Sequence, residues 1–389
     1  MSFSKLGLCD PILKAVADVG YKNPTEIQKQ AIPIILSGRD LMAAAQTGTG
    51  KTASFVLPLL EKLNTEEKLR SRSIKALILV PTRELAVQVE ANIAQYAKYL
   101  NVSSLAIYGG VDSEAQKDRL LEGVDILVAT PGRLLDMVYQ RALYFNDLEF
   151  LVLDEADRML DMGFIDDIHK IIDRLPSDRQ SLLFSATLTD DVRYLADTVY
   201  DDAAEISVSP KKKAAAKIDQ WLITVDKDKK SALLSHLINE QQWDQALIFV
   251  EKKHSAAKLV SQLEKRGITA DSIHSGRSQA MREQILADFE AGKLKFLIAT
   301  GIAARGIDID DLSRVVNYDL PYPSEEYVHR IGRTGRAGAS GEAISLVSKD
   351  DFKNLCSIES LLGQVIKRKE IEGFPVKKVV PISILNYKR

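Results

Sequence analysis

The sequence predicts an α/β protein of two tandem domains, each a mostly parallel sheet flanked by helices. Three observations carry that expectation. Short apolar runs alternate with amphipathic helical stretches along the chain. Continuous apolar runs suit strands buried on both faces, and helices between them imply parallel order. With 389 residues the chain is longer than one ordinary core holds. Finally, the rhythm breaks once, at "SVSPKKKAAAKID" (207–219), a weakly hydrophobic stretch with a proline and three consecutive lysines. We read it as an interdomain linker, the alternative being an exposed helix or loop inside one domain.

In the first half the predicted strands are "LMAAA" (41–45), "ALILVP" (76–81), "LAIYGG" (105–110), "DILVAT" (125–130), "FLVLDE" (150–155) and "SLLFSAT" (181–187). In the second half they are "ALIFV" (246–250), "FLIAT" (296–300), "RVVNY" (314–318) and "AISLV" (343–347). The expected boundaries are 1–208 for the first domain, 209–217 for a flexible linker, 218–370 for the second domain and 371–389 for a tail. Pro375 and Pro381 and weak periodicity predict an irregular strap or a partly mobile end for that tail.

Composition excludes several classes. Hydrophobic residues make up 46% and charged residues 27%, which is ordinary for a globular chain. No run of 18 apolar residues suggests a membrane span, and the start lacks the charged and apolar regions of an export signal. Cys9 and Cys356 lie at opposite ends, so no disulfide framework is expected and a cytoplasmic setting fits. A net charge of −2 argues against a globally basic nucleic-acid binder and leaves a local basic groove open. The five histidines show no H-E-x-x-H or Cys/His spacing, so no structural metal site is expected. His169, His236, His254 and His274 read as surface or packing residues, and Trp221 and Trp243 as core residues of the second domain.

The chemistry begins at "AAAQTGTGKTASF" (43–55), where a strand runs into a glycine-rich turn and then an apolar helix. Backbone N–H groups of such a turn point at phosphate oxygens; Lys51 would reach the β- and γ-phosphates and Thr52 a magnesium ion. The plainer reading is a glycine-containing strand-to-helix turn with an incidental lysine. A second signal is "FLVLDEADRML" (150–160), an apolar strand that ends in carboxylates. Asp154 stands where a P-loop ATPase holds magnesium, commonly through water, and Glu155 where the attacking water is oriented or deprotonated. The second half has no P-loop; it has "HRIGRTGRAG" (329–338), whose arginines could meet charge on a transferring phosphoryl group or contact nucleic-acid phosphates.

Taken together, the motifs make the chain resemble the DEAD-box RNA helicases of superfamily 2, from Phe3 to about Val347. The resemblance implies two tandem RecA-like domains, ATP and Mg²⁺ as ligands, and RNA as partner. "GYKNPTEIQ" (20–28) is similar to the Q motif, which implies Gln28 on the adenine edge, Tyr21 on its face and Phe3 in support. "AQTGTGKT" (45–52) is similar to motif I, in which Ala45 is ordinary, and implies nucleotide contacts from Gln46, Thr47, Gly48, Thr49, Gly50, Lys51 and Thr52. Pro81, Thr82 and Arg83, then Gly109 and Gly110, then Thr130, Pro131, Gly132 and Arg133 correspond to its single-strand RNA contacts. "DEAD" (154–157) is the signature motif; Asp157 with Ser185, Ala186 and Thr187 ("SAT", 185–187) is implied in coupling ATP state to RNA binding.

In the second domain, "LIFVEKK" (247–253) is similar to motif IV, and Gln279 and Arg282 to the adjoining RNA-facing element. "ATGIAARGIDI" (299–309) is similar to motif V, implying RNA contact by Thr300, Arg305 and Gly306 and ribose contact by Asp308. "HRIGRTGR" (329–336) is similar to motif VI, implying arginine fingers at Arg333 and Arg336 and coupling through His329, for which a structural role is the alternative. One departure stands out: motif V commonly has Asp or Ser where this chain has Gly301. The expected activity is an RNA-dependent ATPase that unwinds short duplexes or remodels RNA–protein complexes. The alternatives are an ATP-gated RNA clamp and a DNA-directed motor. Nothing in the sequence calls for an oligomer.

Overall fold

The computed structural model describes residues 2–45, 48–64, 73–200, 202–208, 218–301, 312–335, 341–383 and 385. The predicted linker, 209–217, lies outside them. The chain divides into two compact units, Met1–Pro210 and Lys211–Arg389.

In the first unit the strands are β1 (Leu41–Ala45), β2 (Ala76–Leu79), β3 (Ser104–Ile107), β4 (Ile126–Ala129), β5 (Phe150–Leu153), β6 (Gln180–Ser185) and β7 (Ala204–Val208). They lie in the order β3-β4-β2-β5-β6-β1-β7, every described ladder parallel. In the second unit they are β8 (Ile218–Thr224), β9 (Ala246–Val250), β10 (Ala270–Ile273), β11 (Phe296–Thr300), β12 (Arg314–Asn317), β13 (Gly341–Val347) and β14 (Lys367–Lys369). Their order is β10-β11-β9-β12-β13-β8-β14, again parallel throughout. Counted from its own first strand, the second sheet repeats the order of the first. The two units are one architecture used twice.

Each apolar run is continuous because its strand feeds two cores. In β1, Leu41, Ala43 and Ala45 enter one cluster while Met42 enters the other. In β5, Phe150 and Val152 face the first cluster and Leu151 and Leu153 the second. The same alternation divides Ile248 and Val250 from Leu247 and Phe249 in β9. Side chains on successive strand residues point to opposite faces, so a sheet covered by helices on both sides needs apolar residues at every position. Burying one such side chain contributes roughly 1.5–3 kcal/mol.

The end of the chain crosses the second unit as a strap. Arg368 donates to the carbonyls of Val380 (2.7 Å) and Pro381 (2.6 Å). The carboxylate of Asp226 accepts from the backbone N–H groups of Lys377 (3.0 Å) and Lys378 (3.3 Å). Among the described residues no helix is long and apolar enough to cross a membrane.

Candidate nucleotide and nucleic-acid sites

Strand order decides which loops meet. In parallel α/β sheets ligands sit outside the carboxyl ends of the strands. In the first sheet β5, β6 and β1 are neighbours, so Asp154 and Glu155, the 185–187 turn and the glycine-rich turn share one half of that edge. On the other half β3, β4 and β2 are neighbours, and they carry Gly109–Gly110, Thr130–Arg133 and Pro81–Arg83. Motifs interleaved in sequence are thereby sorted into two groups.

In the first group, Gly48 and Gly50 take left-handed backbone, φ 75° and 89°. Gly50 is the N-cap of the helix Lys51–Leu63. Gln28 supports this turn: its amide donates to the Gly50 carbonyl at 3.1 Å, while its Oε1 accepts from Thr25 N–H at 2.9 Å. A Cβ at residue 50 would stand only 2.5 Å from Gln28 Nε2. Lys51 opens the helix 6% exposed, and its ammonium has no hydrogen-bond partner among the described residues. A buried, unmatched cation is costly unless an anion joins it. Nearby, the Phe3 and Tyr21 rings stack with centroids 6.4 Å apart, and Tyr21 shares a hydroxyl contact of 3.0 Å with buried Tyr96. Tyr21 stays 41% exposed, leaving ring surface open.

Asp154 is 3% exposed. Burial pushes its carboxyl up to about 7; Lys51 opposes the shift, and Glu155 and Asp157 add to it. Glu155 adopts φ 52°, a left-handed conformation that costs a non-glycine residue about 1–3 kcal/mol and marks functional sites. Its carboxylate is ion-paired with Arg158 at 2.5 Å, both side chains largely buried. Asp157 turns toward the 185–187 turn: Oδ2 accepts from Ala186 N (3.1 Å), Thr187 N (3.0 Å) and Thr187 Oγ1 (3.0 Å). Ser185 Oγ donates to the Thr187 carbonyl at 2.6 Å and closes the turn.

In the second group, buried Thr82 caps the helix Arg83–Tyr96 by accepting from Leu85 N–H, and Pro81 is buried beside it. Gly110 has φ 84°, and a Cβ there would overlap the Arg83 guanidinium, which brings those two motifs together. Thr130 is the N-cap and Pro131 the first residue of the helix Pro131–Tyr139, with Gly132 exposed at its opening. Arg133 is turned inward: it donates to Gln116 Oε1 (2.8 Å) and the Val111 carbonyl (3.0 Å) at 9% exposure. Its guanidinium therefore braces the turn beside Gly109 and Gly110. Gln116 also bonds both backbone groups of Tyr108.

In the second unit β10, β11 and β9 are neighbours in the same way. Gln279 and Arg282 are both buried on the helix Gln279–Glu290, capped by Ser278; Gln279 Nε2 donates to Glu283 at 2.9 Å. Thr300 ends β11, half-buried. His329 is half-buried on the helix Glu325–Ile331, and Arg333 follows it at 9% exposure. Gln46, Thr47, Arg305, Gly306, Asp308 and Arg336 lie outside the described residues.

Sequence reasoning missed Arg158, Gln116 and Tyr96. Arg158 was within reach, since a partner three residues after Glu155 sits on the same helix face. The others are joined only by the fold.

Residues 25–195 match the family described as DEAD/DEAH box helicase, and residues 228–338 the one described as Helicase conserved C-terminal domain. The chain is 42% identical over 385 residues to RNA helicase CrhR of Synechocystis sp., covering 97% of this chain and 77% of that protein. It is 39% identical over 367 residues to the DEAD-box ATP-dependent RNA helicase CshA of Geobacillus kaustophilus, covering 94% and 78%. Among solved structures it resembles S. cerevisiae Dbp5 bound to RNA and ADP BeF3, with TM-score 0.85, 33% identity and 95% of each chain covered. It also resembles the DEAD-box helicase Mss116 bound to ssRNA and UDP-BeF, with TM-score 0.85, 28% identity and coverage of 96% and 80%.

Proposed function

This chain belongs to the DEAD-box ATP-dependent RNA helicases, with the tandem RecA-like sheets of that family, and from that premise we propose how its residues divide the work. It hydrolyses ATP in response to single-stranded RNA and locally separates short duplexes, or remodels RNA–protein complexes. The observation that carries this reading is the buried, unmatched ammonium of Lys51 on the same sheet edge as the buried carboxyl of Asp154. That pair fits a nucleotide phosphate and a divalent cation.

Lys51 binds the phosphates, the N–H groups at Gly48–Thr52 cradle them, and Gln28 reports on the same turn through Gly50. Tyr21, backed by Phe3, stacks on the base. Gln28 has one amide hydrogen and one lone pair left for the adenine edge. Thr52 and Asp154 would hold Mg²⁺, partly through water; that ion would neutralise phosphate charge. Among the described residues no cluster of three or more His, Cys, Asp or Glu could hold a metal by itself, so the phosphates are needed as co-ligands. Glu155, fixed by Arg158, orients the attacking water. Arg333 and Arg336 meet the developing charge, and Asp308 the ribose, once ATP and RNA draw the units together.

The other half of each sheet edge takes RNA. Pro81–Arg83, Gly109–Gly110 and Thr130–Gly132 offer backbone and side-chain contacts to phosphate and sugar, with Arg133 as their support. Gln279, Arg282, Thr300, Arg305 and Gly306 do so in the second unit. Contacts of that kind carry little sequence preference. Asp157 and Ser185–Thr187 connect the two halves, with His329 on the side of the second unit.

The test is ATP hydrolysis with and without single-stranded RNA and DNA, beside strand release from a short duplex. Stimulation by RNA and ATP-dependent release are expected. Absence of RNA stimulation overturns the reading, and RNA retention with slow turnover and no release identifies a clamp.

A further inference from the structure

We propose that Tyr96 is a positioning residue for nucleotide binding: its buried hydroxyl fixes the ring of Tyr21 in the pose that takes the base. The inference rests on the stacking role proposed for Tyr21. Tyr96 closes the helix Arg83–Tyr96, whose buried face is Leu85, Ala86, Val89, Ile93 and Tyr96. Its side chain is 1% exposed and belongs to the same apolar cluster as Phe3 and Ile12. Phenylalanine would fill that space with no hydroxyl to satisfy. A buried hydroxyl is costly unless it is hydrogen-bonded. Among the described residues the partner of this one is the Tyr21 hydroxyl, at 3.0 Å. Burial first, and then that bond, push the Tyr96 hydroxyl well above the ordinary tyrosine value, so it stays protonated at neutral pH.

Backbone and neighbouring rings hold the rest of Tyr21. Its N–H donates to the Val16 carbonyl at 3.2 Å, just beyond the helix Asp10–Asp18, where Gly20 takes left-handed backbone with φ 87°. The Phe3 ring lies 19° from parallel to it, and the Tyr96 ring stands 6.2 Å away, tilted by 51°. The hydroxyl bond acts at the far end of the ring, which the backbone does not control. A ring fixed before the ligand arrives loses less conformational freedom on binding, and that benefit falls on affinity rather than turnover. The same two segments are also tied near the surface. Asp18 accepts from Lys98 Nζ at 2.7 Å and from the Tyr99 hydroxyl at 2.6 Å. That second clamp anchors the helix Asp10–Asp18 beside the end of the helix Arg83–Tyr96 and involves no atom of Tyr21.

The test compares Tyr96→Phe, Tyr21→Phe, their double variant and Asp18→Ala in RNA-stimulated ATP hydrolysis. Tyr96→Phe is expected to raise KM for ATP about three- to tenfold, the effect of one hydrogen bond, with kcat within about twofold. Tyr21→Phe removes the other half of the same bond and should match it, and the double variant should be no worse than either. Asp18→Ala should leave KM within about twofold, because the ring keeps its bond. An unchanged KM in Tyr96→Phe overturns the proposal, as does a kcat loss as large as the KM rise. Effects that multiply in the double variant overturn it too, and so does an equal KM rise in Asp18→Ala. If Tyr96→Phe fails to fold, Tyr21→Phe must show the KM rise by itself, and its absence overturns the proposal. If the unaltered chain shows no RNA-stimulated hydrolysis, the functional reading fails instead. Calorimetric binding of ADP by the same variants then decides the role of Tyr96, and absence of ADP binding overturns it.

Discussion

Asp157 and Thr187 are joined twice: one carboxylate oxygen accepts from both the N–H and the hydroxyl of Thr187, each at 3.0 Å. The same oxygen holds Ala186 N–H at 3.1 Å. The last residue of "DEAD" is thus spent on the turn after β6, while the first, Asp154, stays buried on the side of Lys51. Asp157→Ala frees that turn while leaving the glycine-rich turn in place. The exposed half of this contact is screened, so the stability loss should be only about 1–2 kcal/mol. Strand release should fall at least tenfold while the affinity for ATP changes less than threefold. Parallel assays of nucleotide binding and duplex separation check this; equal losses in both contradict it.

Gly50 yields the second prediction. Its φ of 89° costs an L-residue about 1–2 kcal/mol, and an added Cβ would press on Gln28 Nε2 from 2.5 Å. Gly50→Ala should weaken binding of a fluorescent ATP analogue at least tenfold. Gln28→Ala, which removes the acceptor of Thr25 N–H and the Gly50 contact without straining the turn, should weaken it less. A reversed ranking would mean that Gln28 acts chiefly on the base.

Most of the sheets could be read from the sequence, and the strands that escaped share a cause. β7, β10 and β14 are edge strands and β8 lies beside β14. Each mixes polar residues into its run: Glu205, Asp219 and Gln220, Asp271, and Lys367–Arg368–Lys369. At an edge one side meets solvent, and lysines there discourage pairing with another chain. The motifs were legible because each is short and local. Their partnerships were not, because Arg133 meets Gln116 and Tyr21 meets Tyr96 only through strand order. The Thr25–Gln28 capping box is the exception, since T-E-I-Q fits the capping pattern directly.

The second unit holds a buried charge whose removal should be costly. Lys230, with its side chain 3% exposed, donates to the Tyr318 carbonyl (2.9 Å) and to Asp351 (3.0 Å). Burial pushes the Asp351 carboxyl up, but Lys230 and Ser348 outweigh it and hold it below the ordinary aspartate value. A depressed carboxyl stabilises the fold above its ordinary value, and that contribution is lost as pH falls through the folded-state value. Asp351→Asn should cost about 3 kcal/mol at neutral pH, because Lys230 is left without its nearest carboxylate. Denaturant melts of the full chain should show the deficit shrinking below about pH 4. A deficit constant with pH would assign the loss to packing.

Asp154 has the opposite sign. Its carboxyl is raised to about 7, first by burial, with Lys51 opposing and Glu155 and Asp157 reinforcing. The ordinary aspartate value is about 3.9. A raised carboxyl contributes stability that is fully present below that ordinary value and lost as pH rises through the folded-state value. Ionising Asp154 therefore costs the ligand-free fold between about pH 4 and about pH 7. Binding a divalent cation with nucleotide requires the ionised form. It should release a proton below neutrality, and affinity should weaken by up to about tenfold per pH unit on acidification from about 7. Titrating a non-hydrolysable ATP analogue with Mg²⁺ from about pH 5.5 to about pH 8 checks this. Asp154→Asn should flatten the profile at low affinity. Lys51→Met removes the charge that opposes the shift, so its residual profile should move to higher pH. Unchanged affinity across the range would mean that Asp154 is already ionised in the free protein and that Lys51 alone compensates for its burial.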